Sequence, residues 1–219
     1  MSPASAAGPG SGSPGPGEPY PRLVQTWVAL LRGVNVGGRN RLAMADLRAV
    51  HERLGHRDVR THLQSGNVVF RAPGDEAAVA GAIAQRLAAD LGAQYPVVVR
   101  SASALAAVVA ANPFAVRLAG AGPDAAKPLH VTFLDHPVPD APVPGGPVPD
   151  GAFDFDLPAG APDELALGDR HVYLWCPRGY GRTRLTPAFF ERRTGATATD
   201  RGWSTVVALA ELTAGLAAT

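Results

Sequence analysis

The sequence predicts an α+β fold made of two ferredoxin-like βαββαβ lobes, the second one irregular, with an extra C-terminal helix. Three observations predict this fold. Residues 26–99 alternate between apolar runs and amphipathic stretches in the order strand, helix, strand, strand, helix, strand. The same order partly recurs after residue 112. A chain of 219 residues, 46% of them hydrophobic, has enough apolar side chains for one large core or two small ones.

The chain divides into three predicted parts. Residues 1–21 carry almost no large apolar side chain, so they cannot offset the entropy lost on ordering and are predicted to form a disordered tail. The first lobe is predicted at 22–112 and the second at 113–219. Within the second lobe, the proline-rich connector at 136–162 excludes a helix or a central strand, because proline lacks an N–H donor.

The elements of the first lobe follow from the spacing of apolar residues. Strands show continuous or alternating apolar residues, whereas helices show them three or four positions apart. Gly55 and Gly92 follow the two helical patterns and are typical C-terminal stops. The predicted elements are a strand at 26–31, a helix at 44–54, strands at 59–63 and 68–70, a helix at 79–91 and a strand at 95–99.

The second lobe repeats this order with the connector in place of the first helix. Thr186 and Pro187 suit the N-cap and first position of a helix that ends before Gly195. A helix at 103–111 links the lobes. The other predicted elements are strands at 129–134, 164–167, 171–176 and 196–199 and a final helix at 206–216.

Composition excludes several classes of protein. A net charge of +1 argues against tight non-specific DNA binding, and a single cysteine excludes an intramolecular disulfide. No run of 18 apolar residues is present, so no membrane span is predicted. Residues 1–21 lack the basic start and apolar stretch of a secretory signal, so the cytoplasm is the predicted location. The six histidines show no metal-ligand spacing, and neither a metal nor a cofactor is predicted.

Topology places two polar segments of the first lobe at one edge. In a βαββαβ sheet the first two strands run the same way, so the loop at 32–40 should lie beside the turn at 64–67. Glycines let backbone N–H groups approach an anion, and arginine adds bidentate donors. The simpler alternative is that Gly and Asn are there for turn geometry alone. The candidate ligand-binding residues of this first edge are Arg32, Gly33, Asn35, Gly37, Gly38, Asn40, Gln64, Ser65, Gly66 and Asn67.

A second edge is predicted in the second lobe by the same reasoning. The arginine-rich loop at 177–184 should emerge beside residues 200–203, and its candidate residues are Arg182, Arg184, Arg201 and Trp203. Trp203 is alternatively a core anchor for the last helix. No nucleophile motif stands out, so Cys176 is interpreted as a buried inert thiol and His130 as a structural histidine.

Five blocks of the sequence resemble the bacterial proteins of domain of unknown function 1697. They are LLRGVNVGGRNRLAMADLRAV at 30–50, THLQSGNVVF at 61–70, ANPF at 111–114, VYLWCPRGYGRTRLT at 172–186 and ATATDRGWSTVVAL at 196–209. The resemblance implies a two-lobed α+β protein and no particular activity. The family usually has Asn where this chain has Gly202, so an amide is missing from the second edge.

These observations lead to three functional hypotheses. The first is a binding protein for a small anionic or phosphorylated ligand, a nucleotide included, with RNA ranked lower because Phe70 alone offers a stacking ring. The second is a metal-independent enzyme, which a carboxylate or histidine buried beside Gln64 would favour. The third is a scaffold or dimerisation module, which deep burial of Arg32 and Gln64 would favour. The oligomeric state is not predicted.

Overall fold

The fold consists of two four-stranded antiparallel sheets. The computed structural model describes residues 23–36, 40–120, 122–137 and 162–217. The first sheet contains β1 (Val24–Leu31), β2 (Arg57–His62), β3 (Asn67–Pro73) and β4 (Val97–Ser101), in the order β2-β3-β1-β4. The second contains β5 (Leu129–Leu134), β6 (Glu164–Leu167), β7 (His171–Trp175) and β8 (Ala198–Gly202), in the order β6-β7-β5-β8. The α+β two-lobe fold is thereby confirmed.

The helices cover both faces of each sheet. They are α1 (Met44–Arg53), α2 (Glu76–Leu91), α3 (Ala102–Ala110), α4 (Ala115–Leu118), α5 (Pro187–Thr194) and α6 (Trp203–Ala217). Helices α1 and α2 pack on the outer face of the first sheet, and α5 packs on the outer face of the second. Helices α3 and α6 lie between the sheets. No helix in the described ranges is long and apolar enough to cross a membrane.

A shared central core explains why β1 is apolar at every position from Trp27 onward. Trp27, Ala29 and Leu31 face the outer core with α1 and α2. Val28 and Leu30 face the central core, which contains α3, α6 and one face of the second sheet. A strand buried on both faces reads as a continuous apolar run rather than an alternating one. The central core therefore joins the two sheets into one packed unit.

The two lobes are structural repeats of each other. Strand β4 pairs with β1 so that Arg100 lies opposite Val28, and β8 pairs with β5 so that Arg201 lies opposite Val131. Both sheets have the same strand order and the same antiparallel pairing. The recurrence of element order in the sequence thus corresponds to a recurrence of strand register.

The equivalent arginines make reciprocal contacts between the lobes. Arg100 Nη2 donates to the backbone carbonyl of Leu134, the last residue of β5. Arg201 Nη2 donates to the carbonyl of Leu31, the last residue of β1, at 2.7 Å. Each lobe therefore sends one buried guanidinium into the other lobe at the end of its first strand.

The structure shifts two predicted strands by two residues. The strand predicted at 95–99 is Val97–Ser101, and the strand predicted at 196–199 is Ala198–Gly202. The predicted strands stop before Arg100 and Arg201 because a charged residue interrupts the apolar pattern. In the structure both arginines belong to their strands, since backbone carbonyls of the other lobe accept from their guanidinium groups. Helix α4 was not predicted. The proposed tail at 1–21 lies outside the described residues, as do residues 138–161 of the connector. The division after residue 112 stays a prediction.

Gly66 holds the β2–β3 turn against the end of β1. Its φ is +74°, and a Cβ atom there would lie 2.8 Å from Leu31 Cβ and 3.1 Å from Val34 Cγ2. Gly66→Ala is therefore expected to lower the free energy of unfolding by about 2–4 kcal/mol, measured by urea denaturation. Gly55 is the matched control because its φ is +73° and an added Cβ would meet no atom within 4 Å. Gly55→Ala should cost only about 1 kcal/mol, and equal losses would contradict this account.

Candidate functional site

One cavity of about 460 Å³ joins residues of both predicted edges. We call it the β8 cavity, because residues 199–202 of the β8 edge line it. The first lobe contributes residues 31–34, Val36 and Ser65. The second lobe contributes Tyr180, residues 186–188, residues 199–202 and Thr205. The two edges, which were predicted for separate lobes, therefore meet across a single cavity.

Two helix N-termini border the β8 cavity. Pro187 is the first residue of α5, and Thr186 is its N-cap without a side-chain capping bond. Helix α6 starts at Trp203 directly after β8, and Thr205 of its first turn lines the cavity. The first N–H groups of a helix lack partners within it, and the helix dipole adds partial positive charge there. Pro187 has no N–H and Phe189 N–H donates to the Thr186 carbonyl at 2.9 Å, so α5 acts mainly through its dipole. The field of both helix ends favours an anion in the cavity.

Arg32 supplies a guanidinium with unused donors. Its Nη1 pairs with Glu191 Oε1 at 2.7 Å, and its side chain keeps 34% of its accessible surface. Its backbone N–H donates to the carbonyl of Pro96 at 2.9 Å, which holds the residue at the cavity wall. The Nε and Nη2 groups of Arg32 make no hydrogen bond to any residue in the described part of the chain. Arg32 can therefore donate to a ligand without breaking its ion pair with Glu191.

The guanidinium donors of Arg201 make hydrogen bonds inside the protein. Its guanidinium donates five hydrogen bonds, to Asn67 Oδ1, Thr199 Oγ1 and the backbone carbonyls of Leu31, Ser65 and Asp200. Burial lowers the pKa of Arg201 to about 10, which leaves it protonated at neutral pH. Arg201 and Asn67 were both predicted to contact a ligand. The Arg201 guanidinium donates to Asn67 Oδ1 across the lobes, whereas Asn67 Nδ2 donates to the His62 carbonyl and to Ser65 Oγ within the first lobe. Arg201 still forms part of the cavity wall, and whether either residue contacts a ligand stays a prediction.

A carboxylate also lines the β8 cavity. Asp200 Oδ1 lies 2.7 Å from His130 Nδ1, and Asp200 Oδ2 accepts from Thr132 Oγ1 at 3.2 Å. The His130 ring stacks on Tyr180 with their centroids 4.1 Å apart. Burial, followed by the nearby charge of Asp200, raises the pKa of Tyr180, so its hydroxyl remains a proton donor. The cavity thus contains a positioned acceptor as well as cationic donors.

The asparagines of the first edge close its loop. Asn35 Nδ2 donates to the carbonyls of Leu42 at 2.9 Å and Gln64 at 2.7 Å. Asn40 Nδ2 donates to the carbonyl of Gly33 at 3.2 Å. The loop and the β2–β3 turn therefore lie side by side. The turn-geometry alternative accounts for both asparagines, since each also has positive φ.

Several other predicted residues in the described ranges do not line the β8 cavity. Arg182 and Arg184 are exposed and do not line it, and the exposed Gln64 lines a separate hollow together with Asn35. Trp203 packs in the central core, so the anchor interpretation is the one the structure shows. Gly37 and Gly38 lie outside the described residues. Whether any of these residues binds a ligand stays a prediction.

Sequence reasoning missed the pairing of Asp200 with His130. The repeat of strand order carried a signal for this pair. If β8 pairs with β5 as β4 pairs with β1, Asp200 lies opposite Thr132. His130 is two residues from Thr132 along β5, so its side chain is on the same face of the sheet. The N-terminus of α5 was also missed as a cavity wall. Its position depends on how the two lobes pack, and no short stretch of the sequence indicates this packing.

The structural repeat produces a second cavity of about 330 Å³ beside the edge of β4. We call it the β4 cavity. It is lined by the N-terminal turn of α2, the β4 edge and the residues that follow β5, which are the counterparts of the elements around the β8 cavity. Glu76 starts α2 where Pro187 starts α5. Its two carboxylate oxygens accept from Arg100, at 3.1 Å, and from Arg170. Glu76 therefore engages both arginines that line the β4 cavity.

Comparisons with known proteins show a family and a fold. The sequence model of a family described as "Protein of unknown function (DUF1697)" matches residues 24–173. The solved structure of the conserved bacterial protein SP0830 from Streptococcus pneumoniae is similar at a TM-score of 0.61 and 17% identity, over 87% of this chain and 99% of that one. At this identity the likeness shows the fold alone. No curated protein matches the sequence. Within the described residues, no group of three His, Cys, Asp or Glu side chains could hold a metal ion.

Proposed function

This chain belongs to the DUF1697 family of proteins of unknown function, and from the lining of the β8 cavity we propose that it binds a small anionic or phosphorylated ligand there. The observation that carries the proposal is Arg32. Within the described residues its Nε and Nη2 donors are free, its side chain is 34% exposed, and it lines a cavity bordered by two helix N-termini. A charge-assisted hydrogen bond contributes about 1.5–3 kcal/mol, and each helix terminus adds about 0.3–1 kcal/mol.

The β4 cavity serves as an internal comparison. It has the same architecture, but Glu76 occupies the arginines that an anion would need. In the β8 cavity the equivalent helix starts with Pro187, which carries no charge. Glu191 offsets the charge of Arg32 but bonds only Nη1, so within the described residues the Nε and Nη2 donors stay available to a ligand. Because Glu76 bonds both arginines of the β4 cavity whereas Arg32 keeps these two donors, the comparison supports an anion site in the β8 cavity.

The scaffold alternative has less support. It requires that Arg32 and Gln64 be buried with every hydrogen bond made internally, yet Arg32 is partly accessible and Gln64 is exposed. Arg201 does join the lobes, and its bonds to Leu31, Ser65 and Asn67 account for that role. Joining the lobes and binding a ligand are compatible, because different arginines carry the two roles.

Metal-independent catalysis is the second candidate, and one observation favours it. Asp200 lines the same cavity as Ser65, its side chain is only 9% exposed, and His130 holds its carboxylate at 2.7 Å. A carboxylate–histidine pair beside a bound anion can accept a proton from a ligand or from water. Incubating the protein with each compound that binds, and analysing the mixture for new products, distinguishes turnover from binding.

The proposal is tested by thermal unfolding of the native chain with inorganic phosphate, citrate and a panel of nucleotides. A compound present at 100 times its dissociation constant stabilises the folded state by about 2.7 kcal/mol, which corresponds to a rise in Tm of roughly 5–10 °C. Arg32→Gln is expected to weaken binding at least tenfold, because it removes charge-assisted donors.

Arg60→Gln is the matched control, since it removes the same charge from an exposed arginine outside the cavity. It should leave the ligand-induced rise in Tm unchanged. If no compound raises the Tm, or if Arg32→Gln responds like the native chain, the β8 cavity is not an anion site.

A further inference from the structure

The size and lining of the β8 cavity point to a more specific ligand, in an inference that rests on the proposed function. We propose that the ligand is a nucleoside monophosphate, with its phosphate on Arg32 and its nucleoside against the apolar wall and Asp200. Three properties of the cavity lead to this class: its volume, its apolar side and its positioned acceptor.

The volume is too large for a bare oxyanion. The β8 cavity measures about 460 Å³. A water molecule takes about 30 Å³ in the liquid, so an oxyanion of five heavy atoms fills only a minor part of this space. Sites for organic ligands have volumes of about 300–1,000 Å³. The cavity therefore suits an anion that carries an organic body.

Part of the cavity wall is apolar. Its apolar residues are Val34 and Val36 of the first lobe and Pro187 and Ala188 of the second. Val34 belongs to the core and is only 2% exposed, whereas Val36 is 65% exposed at the cavity rim. A flat base laid on this wall would cover Val36 and gain from the burial of its methyl groups. A sugar phosphate has no comparable flat apolar face.

The polar groups that remain suit a nucleoside. Asp200 accepts hydrogen bonds and repels phosphate, so a ligand that contacts it must bring an N–H or O–H donor. The hydroxyls of Thr186 and Thr205 line the cavity and make no hydrogen bond within the described residues. Ribose hydroxyls and the N–H groups of the bases supply the partners these groups lack. Arg32 is then free for the phosphate.

The test measures dissociation constants of the native chain for AMP, adenosine, ribose 5-phosphate and inorganic phosphate by calorimetry, with GMP, CMP and UMP added to cover the other bases. The best nucleoside monophosphate is expected to bind at least tenfold tighter than its nucleoside, ribose 5-phosphate or inorganic phosphate. Arg32→Gln should remove most of the difference between AMP and adenosine.

Val36→Ser tests the apolar wall without a risk to folding, because Val36 is 65% exposed. It should weaken binding of the nucleoside monophosphate about fivefold and leave the affinity for ribose 5-phosphate unchanged, since only the base is expected to cover this side chain. Val116→Ser is the control, as Val116 is 87% exposed on α4 and does not line the cavity.

The outcomes separate the two proposals. Equal affinity for inorganic phosphate or ribose 5-phosphate and for every nucleoside monophosphate overturns the nucleotide assignment and leaves the anion site standing. Equal weakening of all ligands by Val36→Ser does the same. Binding of an RNA oligonucleotide without binding of any monophosphate also overturns it. If none of these compounds binds, the proposed function fails with the inference.

Discussion

Replacing Arg201 with alanine is expected to lower the free energy of unfolding by about 3–5 kcal/mol, measured by urea denaturation followed by circular dichroism. The guanidinium donates to the carbonyls of Leu31 and Ser65 and to the side chain of Asn67, all in the other lobe. Alanine removes these three bonds, although Thr199 Oγ1 still donates to the Leu31 carbonyl at 3.4 Å. Each buried acceptor that loses its donor costs about 1–3 kcal/mol. The substitution also opens space between the two sheets.

Two further variants make this expectation specific. Arg201→Lys keeps the charge but can donate at most three hydrogen bonds, so its loss of stability should be intermediate. Arg184→Ala removes an exposed arginine and should change the free energy of unfolding by no more than about 0.5 kcal/mol. A loss below about 1 kcal/mol for Arg201→Ala would show that the contacts between the lobes do not depend on this residue.

The protein is expected to lose several kcal/mol of stability between about pH 7.5 and pH 5, because it buries neutral histidines. Burial, followed by the charge of His56, lowers the pKa of His51 to about 3. Burial lowers the pKa of His56 to about 4, and burial followed by the charge of Arg100 lowers that of His171 to about 4. His51 Nδ1 lies 3.0 Å from His56 Nδ1, and both rings contact Phe70.

The direction follows from comparing folded and unfolded chains. An unfolded histidine titrates near pH 6.5, so below that pH the unfolded chain takes up protons that the folded chain excludes. Stability is therefore complete above about pH 6.5 and declines as the pH falls toward about 4. His51 alone should contribute about 2 kcal/mol of this decline by pH 5.

The measurement is the free energy of unfolding at both pH values for the native chain, His51→Leu and His62→Gln. His51→Leu removes a titrating group from the core and should flatten the pH dependence by about 2 kcal/mol. His62 ends β2, is only half-buried and stands apart from this cluster, so His62→Gln should retain the native pH dependence. An unchanged stability between the two pH values would mean that these histidines become protonated without unfolding.

The candidate site depends on both the repeat and its asymmetry. Arg100 and Arg201 keep equivalent positions and equivalent contacts in the two lobes. Around them the acids are placed differently. Glu76 at the start of α2 bonds both arginines of the β4 cavity, whereas Pro187 starts α5. The acids beside the β8 cavity, Asp200 and Glu191, pair with His130 and with one nitrogen of Arg32. In this interpretation one cavity serves the packing of the lobes and the other is left for a ligand.

The amino-acid sequence by itself determined the elements and their order. Apolar spacing located α1 and α2, Gly92 ended α2 with φ of +62°, and the continuous run in β1 indicated burial on both faces. These are local signals, since each arises from residues within a few positions of one another. The position of the first loop beside the β2–β3 turn followed as well, because strand order alone brings Asn35 next to Gln64.

Only the tertiary structure decided which of these residues face a common space. The central core built from α3 and α6 sets the lobes against each other, and this packing brings Arg32 to Asp200 across the β8 cavity. It also turns Arg201 inward, where five internal acceptors satisfy a side chain that a sequence would place at the surface. The three bonds from Arg201 to the first lobe join residues more than 130 positions apart, so no periodicity or spacing along the chain records them.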